Sequence, residues 1–380
     1  MAIKLAIVGT GSFAQAFIPL YQRHPLVGEL ALADLDAGKL SEAARKYGVA
    51  RTFSSLAAVC ESDFDAVVLL TQHWLHGPQA VAALRAGKAV YSAVPAAKSI
   101  AEMRELVKAV EQTGGVYMMG ETSYYYPEAI YCRGRFAKGG FGHIVYGEGE
   151  YYHDWDHGLY EVMRMRAGEN WRKTEGAQPP MWYPTHSTSF VISTTGAHAT
   201  HVSCQGFVDT KPEDRDLYDP AGKYHNTFSN EMALFRMSDG SAMRINEFRR
   251  IGHYEVERMT LFGTEGSFEH NEAGFVWVTK DGKPPLERLD ELLTCGGPLG
   301  FAPIHPVDRL PAAFRDGHAG YSHMGSHAFL VDDFVTACAN HSRPPIDVWQ
   351  AARYLVPGLI AHESALAGGK LLEVPDWGSS

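Results

Sequence analysis

The sequence predicts an α/β protein in two parts. A doubly wound parallel sheet with helices on both faces comes first. An α+β region follows, built on an open, mostly antiparallel sheet. Three observations carry this. Residues 1–122 alternate short buried strands with amphipathic helices, the pattern of a parallel sheet covered on both sides. A glycine turn joins the first strand to the first helix. Beyond residue 142 the pattern changes to alternating strands with hairpin signals. The expected domains are therefore 1–122 and 123–380.

In the first part, "KLAIVGTGSFAQAF" reads as strand, turn and helix, with Gly9, Gly11 and Ala14 in the spacing G-x-G-x-x-A. This is the dinucleotide fingerprint of a Rossmann domain. Gly9 allows the tight turn, Gly11 lets the backbone approach a pyrophosphate, and Ala14 keeps the helix close to the strand. Ser12 and Phe13 fall at the helix N-terminus, where unpaired N–H groups meet phosphates. The second strand, "ELALADLD", ends in Asp34, whose carboxylate suits ribose hydroxyls and repels a 2′-phosphate. The expected cofactor is therefore NAD, with NADP disfavoured. Asp36 reads as the N-cap of "AGKLSEAARKYG". The strands "FDAVVLLTQ", "KAVYSAV" and "VYMMGET" follow, separated by helices. Ligands on such sheets bind beyond the carboxyl ends of the strands. That places Thr71, His76 and Pro95 among the cofactor-binding candidates, from "TQHWLH" and "AVPAAKS".

In the second part, "YYYPEAIYCRGRFAKGGFG" reads as a helix ended by glycines. "HIVYGEGEYYHD", "ATHVSCQGFV", "NTFSNEMALFRMSDGSAMRINEFRR" and "YEVERMTLFGTEGSFEH" read as strands, with "SDGS" as a hairpin turn. A sheet with one open face needs cover, so a homo-oligomer (dimer or tetramer) through this sheet is expected. Residues 283–320 are rich in proline and glycine and read as irregular. Two helices close the chain, one near 321–340 and one over "VWQAARYLVPGLIAHESALAGG".

Composition bounds the function. The chain has 380 residues, 45% hydrophobic and 21% charged, ordinary for a globular protein. A net charge of −10 argues against a nucleic-acid partner. No apolar run approaches the roughly 20 residues of a membrane span, and "MAIKLAIVGTG" leads into a glycine motif, not a signal peptide. Five scattered cysteines without a C-x-x-C suggest reduced thiols, hence a cytoplasmic protein.

One stretch draws chemistry to itself: "MWYPTHSTSF", with Tyr183 and His186 flanking a proline and a threonine. Both side chains move protons, and proline stiffens the backbone between them. The bland alternative makes Thr185 a helix N-cap and His186 a bystander in the first turn. "YYHDWDH" (151–157) gathers His153, Asp154, Asp156 and His157. Its spacing matches no firm metal signature, so no metal is expected.

These residues together resemble the Gfo/Idh/MocA family of sugar and cyclitol oxidoreductases. The resemblance rests on "AIVGTGSFA", "DAVVLLTQHWLHGPQAVAALRAGKAV", "LFGTEGSFE" and "IAHESALAGG", and spans nearly the whole chain. It implies the two-domain fold, NAD and a sugar substrate. Two departures stand out. Ordinary members carry Glu-Lys-Pro where this chain has Ala93-Val94-Pro95, and Val94 cannot replace that proton-transferring lysine. Members also carry an Asp-x-x-x-His pair where this chain reads Tyr183 and Ser187, with His186 one residue earlier.

A subgroup that lacks the lysine is similar here: NAD-dependent glycosidases resembling α-N-acetylgalactosaminidase, whose pattern includes Tyr-Pro-Thr-His. "YPTH" at 183–186 matches it. The resemblance implies catalytic roles for His186, Tyr183 and Tyr151, the last in a Tyr-x-His-Asp segment. It also implies substrate contacts from Glu121 and Arg172. His327, in "SHMGSH", is a further substrate-binding candidate. "STSF" departs from the subgroup's Gly-Leu-Gly-Pro-like run, so the sugar itself is not implied.

The implied chemistry is hydride removal at C3 of a sugar, loss of the acidified C2 proton, departure of the C1 substituent, then return of water and hydride. His186 suits the O3 proton. Tyr151 or Tyr183 suits C2 if a neighbouring cation lowers the phenol's pKa. Two other functions remain open on the sequence. One is a plain NAD-linked sugar dehydrogenase or ketosugar reductase. The other is an NAD-bound sensor without turnover.

Overall fold

The computed structural model describes residues 2–174, 178–280, 282, 286–296, 299–315 and 323–378. They fall into two compact units. The first comprises the described parts of 1–127, 292–352 and 378; the second comprises those of 128–291 and 353–377.

The first unit begins with β1 (Ile3–Val8), α1 (Ala14–Arg23), β2 (Val27–Ala33), α2 (Ala37–Tyr47), β3 (Arg51–Phe53) and α3 (Leu56–Cys60). It continues through β4 (Ala66–Leu69), α4 (His76–Arg85), β5 (Ala89–Ser92), α5 (Ile100–Thr113) and β6 (Tyr117–Met119). All six strands are parallel, in the order β3-β2-β1-β4-β5-β6. β4 is buried at every residue, as a strand covered on both faces must be. The order reverses between β1 and β4, and the crevice past their carboxyl ends is where such sheets take ligands. The caps are those the sequence specifies. Asp36 accepts from Gly38 N and Lys39 N, Ser99 accepts from Glu102 N, and Gly48 and Gly114 close α2 and α5 with positive φ.

The second unit contains α6 (Pro127–Ala137), β7 (Ile144–Tyr152), α7 (Leu159–Ala167), α8 (Trp171–Thr174), α9 (Thr185–Thr195) and β8 (Ala199–Val208). β9 (Phe228–Met237), β10 (Ala242–Phe248), β11 (Val256–Gly263), β12 (Gly266–Asn271), β13 (Gly274–Thr279) and β14 (Leu286–Arg288) follow. The chain then forms α10 (Asp290–Leu293), α11 (Ser326–Asn340), α12 (Val348–Leu366) and β15 (Leu372–Glu373).

The nine-stranded sheet runs β14-β13-β12-β11-β7-β10-β9-β8-β15. Its pairs are antiparallel except β7 with β10, a crossover that hairpin signals do not reveal. β9 and β10 form the hairpin read at "SDGS": Gly240 takes φ 88°, and the Asp239 carboxylate accepts from Ser241 N. One face is covered by α9. The other exposes Met232, Leu234 and Phe262, the open face the sequence anticipates.

The division differs from two consecutive segments. It falls at residues 127/128, not 122/123, and residues 292–352 return to the first unit. The physical reason is burial: Met119 N donates to the Ile346 carbonyl at 2.9 Å, and His327 of α11 stacks on Phe17 of α1. The expected helix near 321–340 is α11; residues 316–322 lie outside the described residues, as does part of the stretch read as irregular. Among the described residues no helix is long and apolar enough to cross a membrane.

Candidate active site

The first unit carries the dinucleotide candidates. Gly9 has φ 94°, and a Cβ there would sit 2.6 Å from the Leu70 carbonyl oxygen, so both conformation and space call for glycine. A Cβ at Gly11 would meet nothing within 4 Å, and Gly11, Ser12 and Phe13 are all exposed at the start of α1. That open backbone at a helix N-terminus fits a pyrophosphate. Asp34 is fixed by the same turn: its carboxylate accepts from Thr10 N (2.8 Å), Thr10 Oγ1 (2.9 Å) and Asp36 N (2.9 Å). Its place at the end of β2 fits a ribose diol.

His76 is buried, not presented to a ligand. Its Nδ1 lies 3.0 Å from the Pro95 carbonyl and its Nε2 3.2 Å from the Thr71 carbonyl. It braces the two loops that carry Thr71 and Pro95, so any effect on a cofactor passes through them. Burial lowers its pKa, while those carbonyls pull the other way.

The second unit brings Tyr151, Tyr183 and His186 together, and two glycines make this possible. Gly147, Gly149 and Tyr151 alternate onto the same face of β7. A Cβ at Gly147 would sit 2.7 Å from Val191 Cγ1, and one at Gly149 would run into the Ser187 carbonyl. Backbone therefore meets backbone, and the first turn of α9 settles beside Tyr151. The ring centroids lie 5.2 Å apart for Tyr151–His186, 5.2 Å for Tyr183–His186 and 6.4 Å for Tyr151–Tyr183.

The "YPTH" backbone is pinned on both sides. Met181 N donates to Glu231 Oε2 at 2.9 Å, and Glu231 Oε1 meets His362 Nδ1 at 2.7 Å. The Pro184 carbonyl accepts from Thr188 N (2.9 Å) and Ser187 N (3.1 Å). Pro184, not Thr185, is the N-cap; Thr185 is the first helical residue, and His186 follows it, buried.

Strand register explains the floor of this site. Glu231, Glu247, Tyr151 and Glu257 are direct cross-strand neighbours on β9, β10, β7 and β11. They form a polar row on the covered face of the sheet. Glu247 is fully buried; it accepts from Ser187 Oγ and, at 3.1 Å, from Arg249. Burial pushes its carboxyl up to about 8, against the pull of Arg249. His186 Nδ1 lies 4.0 Å from Glu257 Oε2. The Tyr151 hydroxyl is 2.9 Å from His153 Nδ1, and the Arg249 guanidinium lies 4.9 Å from its ring centroid. Burial raises the Tyr151 phenol well above its ordinary value, outweighing Arg249. Burial also pushes His153 down to about 3, with Arg249 adding to the effect.

Arg172, Glu121 and His327 have surroundings of their own. Arg172 pairs with Asp216 (2.7 Å) and Asp214 (2.8 Å), and its guanidinium lies over Trp171. None of its contacts among the described residues is with Tyr151, Tyr183 or His186. Glu121 is buried in the first unit, where it caps a turn by accepting from Ser123 N at 3.0 Å. His327 is buried there too, its ring 4.2 Å from Phe17 and 5.5 Å from Phe13. In "YYHDWDH", Asp154 accepts from Ile251 N and Gly252 N, while Asp156 pairs with Arg250 and Lys211. Among the described residues no three histidines, cysteines or acids are grouped to hold a metal ion.

Residues 3–121 match the model of the oxidoreductase family with an NAD-binding Rossmann fold, GFO_IDH_MocA. The N-terminal segment is a Gfo/Idh/MocA domain. An α-N-acetylgalactosaminidase of Bacteroides fragilis is 25% identical over 99% of this chain and 92% of its own length. A 4-carboxy-2-hydroxymuconate-6-semialdehyde dehydrogenase of Sphingobium is 30% identical over 36% of this chain, which covers 44% of that protein. A levoglucosan dehydrogenase solved with NADH shares the fold, with a TM-score of 0.77, 18% identity and coverage of 99% and 100%. The resemblance read in the sequence agrees with these findings, as does the expected class, an NAD-dependent enzyme with an oxidoreductase fold. The loop after β5 carries Val94, whose side chain has no group that can take or give a proton.

Sequence reasoning missed Arg249, Glu247, Glu257, Glu231 and His362. Glu231 and Glu247 do carry a signal. Each is an acid at an inward position of an alternating strand, where a solvated residue is out of phase.

Proposed function

We propose that this protein uses NAD to oxidise and later re-reduce a ring hydroxyl, at C3, of a sugar or glycoside. Elimination and rehydration in between give net cleavage of the glycosidic bond. One observation carries the reading: Tyr151, Tyr183 and His186 form a single ring cluster over a row of glutamates, with Tyr151 and His186 buried and Tyr183 half-buried, in a chain with no lysine at the usual place. The "YPTH" match and the full-length relation to the B. fragilis glycosidase support it.

NAD, when bound, accepts and returns the hydride. This chain's residues handle the protons. His186 takes the proton from the C3 hydroxyl, and Glu257 steadies the imidazolium. Oxidation at C3 acidifies the C2 proton. Tyr151 is assigned to remove it; its phenol has to ionise against the burial that raises it, with Arg249 as the cation on its ring. Arg249 over the ring stabilises the phenolate. The Asp34 carboxylate favours NAD over NADP.

The test is incubation with NAD and a panel of aryl glycosides in D2O, with products read by mass spectrometry. Released sugar with deuterium at C2 and no accumulating NADH supports the proposal. Ketosugar with matching NADH and an intact glycosidic bond would replace it with a plain dehydrogenase. NAD binding without any product would point to a sensor.

A further inference from the structure

The polar row does not stop at Glu257. His270 lies on the same covered face, on β12, paired diagonally across from it. Above these two strands stands Glu128, in the first turn of α6. Pro127 and Glu128 look ordinary in the sequence: proline opens a helix, and an acid in the first turn suits its dipole. Such an acid is normally solvated. Glu128 is instead fully buried, and neither carboxyl oxygen meets a hydrogen-bond partner from another described residue. Its Oε1 lies 3.7 Å from His270 Nδ1, itself buried without a hydrogen-bond partner among the described residues. A lone carboxylate in such a place is far costlier than a carboxylic acid.

We propose that Glu128 is a positioning residue: as a buried carboxylic acid it stores one proton behind Glu257 and through it governs His186. The inference rests on the reading of His186 as a proton-transfer group. Glu128 and Glu257 together carry one proton and one negative charge. When His186 gains a proton, the imidazolium holds the negative charge on Glu257 while the stored proton stays on Glu128. When His186 gives its proton up, that hold disappears. No proton passes between the two carboxyl groups; each acts on the other through its charge.

Burial pushes Glu128 up to about 8, and the charge of Glu257 adds to it, while the helix-start amide of Glu128 pulls down. The neighbouring groups bear on the same balance. Cys132 lies one turn on in α6, and burial first and then Glu128 raise its thiol. His270 is pushed down to about 4 by burial and Arg258, so it is a neutral neighbour, with Asp290 pulling the other way. His186 and Tyr151 face Glu257 from α9 and β7.

The test needs no substrate, so it stands apart from the proposed turnover. Infrared difference spectra between about pH 6 and about pH 10 should show a buried carboxylic C=O band that vanishes with alkali. Glu128→Gln should lack it. The His186 imidazole, followed by 15N NMR and assigned with His186→Asn, should show a second inflection that tracks the band's loss. Glu128→Gln should leave one inflection. Glu257→Gln, which removes a repelling charge, should shift the band's midpoint to lower pH. A wild-type protein without the band, a band that persists in Glu128→Gln, a midpoint unmoved in Glu257→Gln, or a second inflection that survives Glu128→Gln would overturn the proposal.

Discussion

The carbonyl oxygen of Ser187 occupies the space that a Cβ on Gly149 would need. This contact sets how closely the first turn of α9 lies on β7, and hence the distance between His186 and Tyr151. Gly149→Ala should shift α9 outward and loosen the ring cluster. Overpacking of this kind costs about 1–3 kcal/mol. Chemical denaturation should register that loss, and activity should fall by more than stability explains. Unchanged unfolding with unchanged activity would show that the contact yields freely.

His186→Asn and Tyr151→Phe separate the two proton steps. Each should lower turnover by about 10²–10⁴ and leave cofactor affinity nearly intact. Tyr151→Phe should additionally suppress exchange of the C2 proton with solvent deuterium while oxidation at C3 persists. Deuterium uptake without net turnover, measured by NMR, reads this directly. Undiminished C2 exchange in Tyr151→Phe would assign that step to another group.

The first unit was legible because its signals are local. A glycine turn, a capping aspartate and short, mostly apolar strands announce themselves within short windows. The Tyr183–His186 pairing was legible for the same reason. Arg249 and Glu247 were not. Their roles follow from the β7–β10 register, which pairs residues 96 apart in the chain. The return of α11 to the first unit was hidden likewise, since it depends on His327 finding Phe17. The phenol expectation also changed: a cation does stand over Tyr151, but burial outweighs it.

Asp34 offers a test on the cofactor side. Its carboxylate is held by Thr10 and by the amide of Asp36, so Asp34→Asn keeps the shape and removes the charge. Titration calorimetry should show weaker NAD binding and a gain in relative NADP affinity of about tenfold, or about 1.4 kcal/mol. An unchanged ratio would mean that selectivity lies elsewhere.

The exposed face of the nine-stranded sheet carries Leu234, Met232 and Phe262 in the open. A homo-oligomer through this face, dimer or tetramer, follows from the proposal that it is covered in solution. Light scattering on the wild-type chain should give a multiple of 41.8 kDa, and Leu234→Glu should lower it. A monomeric wild type would refute the arrangement.

Stability against pH tests the buried charges together. Glu128 and Glu247 are each raised from 4.5 to about 8, so the folded state holds their protons more tightly than the unfolded chain does. Their stabilising contribution is complete below 4.5 and lost as pH climbs towards 8. His153 and His270 are lowered from 6.5, to about 3 and about 4. Their contribution is complete above 6.5 and lost as pH falls. Between 4.5 and 6.5 the two pairs oppose each other, and His76, His305 and His327, lowered likewise by burial, tip the balance, so stability should rise with pH there. Between 6.5 and 8 only the carboxyl groups act, so stability should fall with rising pH, by at most about 1.4 kcal/mol per pH unit for each. Glu247→Gln, which cannot ionise, should remove about half of that slope in thermal unfolding. A wild-type slope that rises between these pH values would place ionised carboxylates at both positions in the folded protein, and one that Glu247→Gln leaves untouched would place one at Glu247.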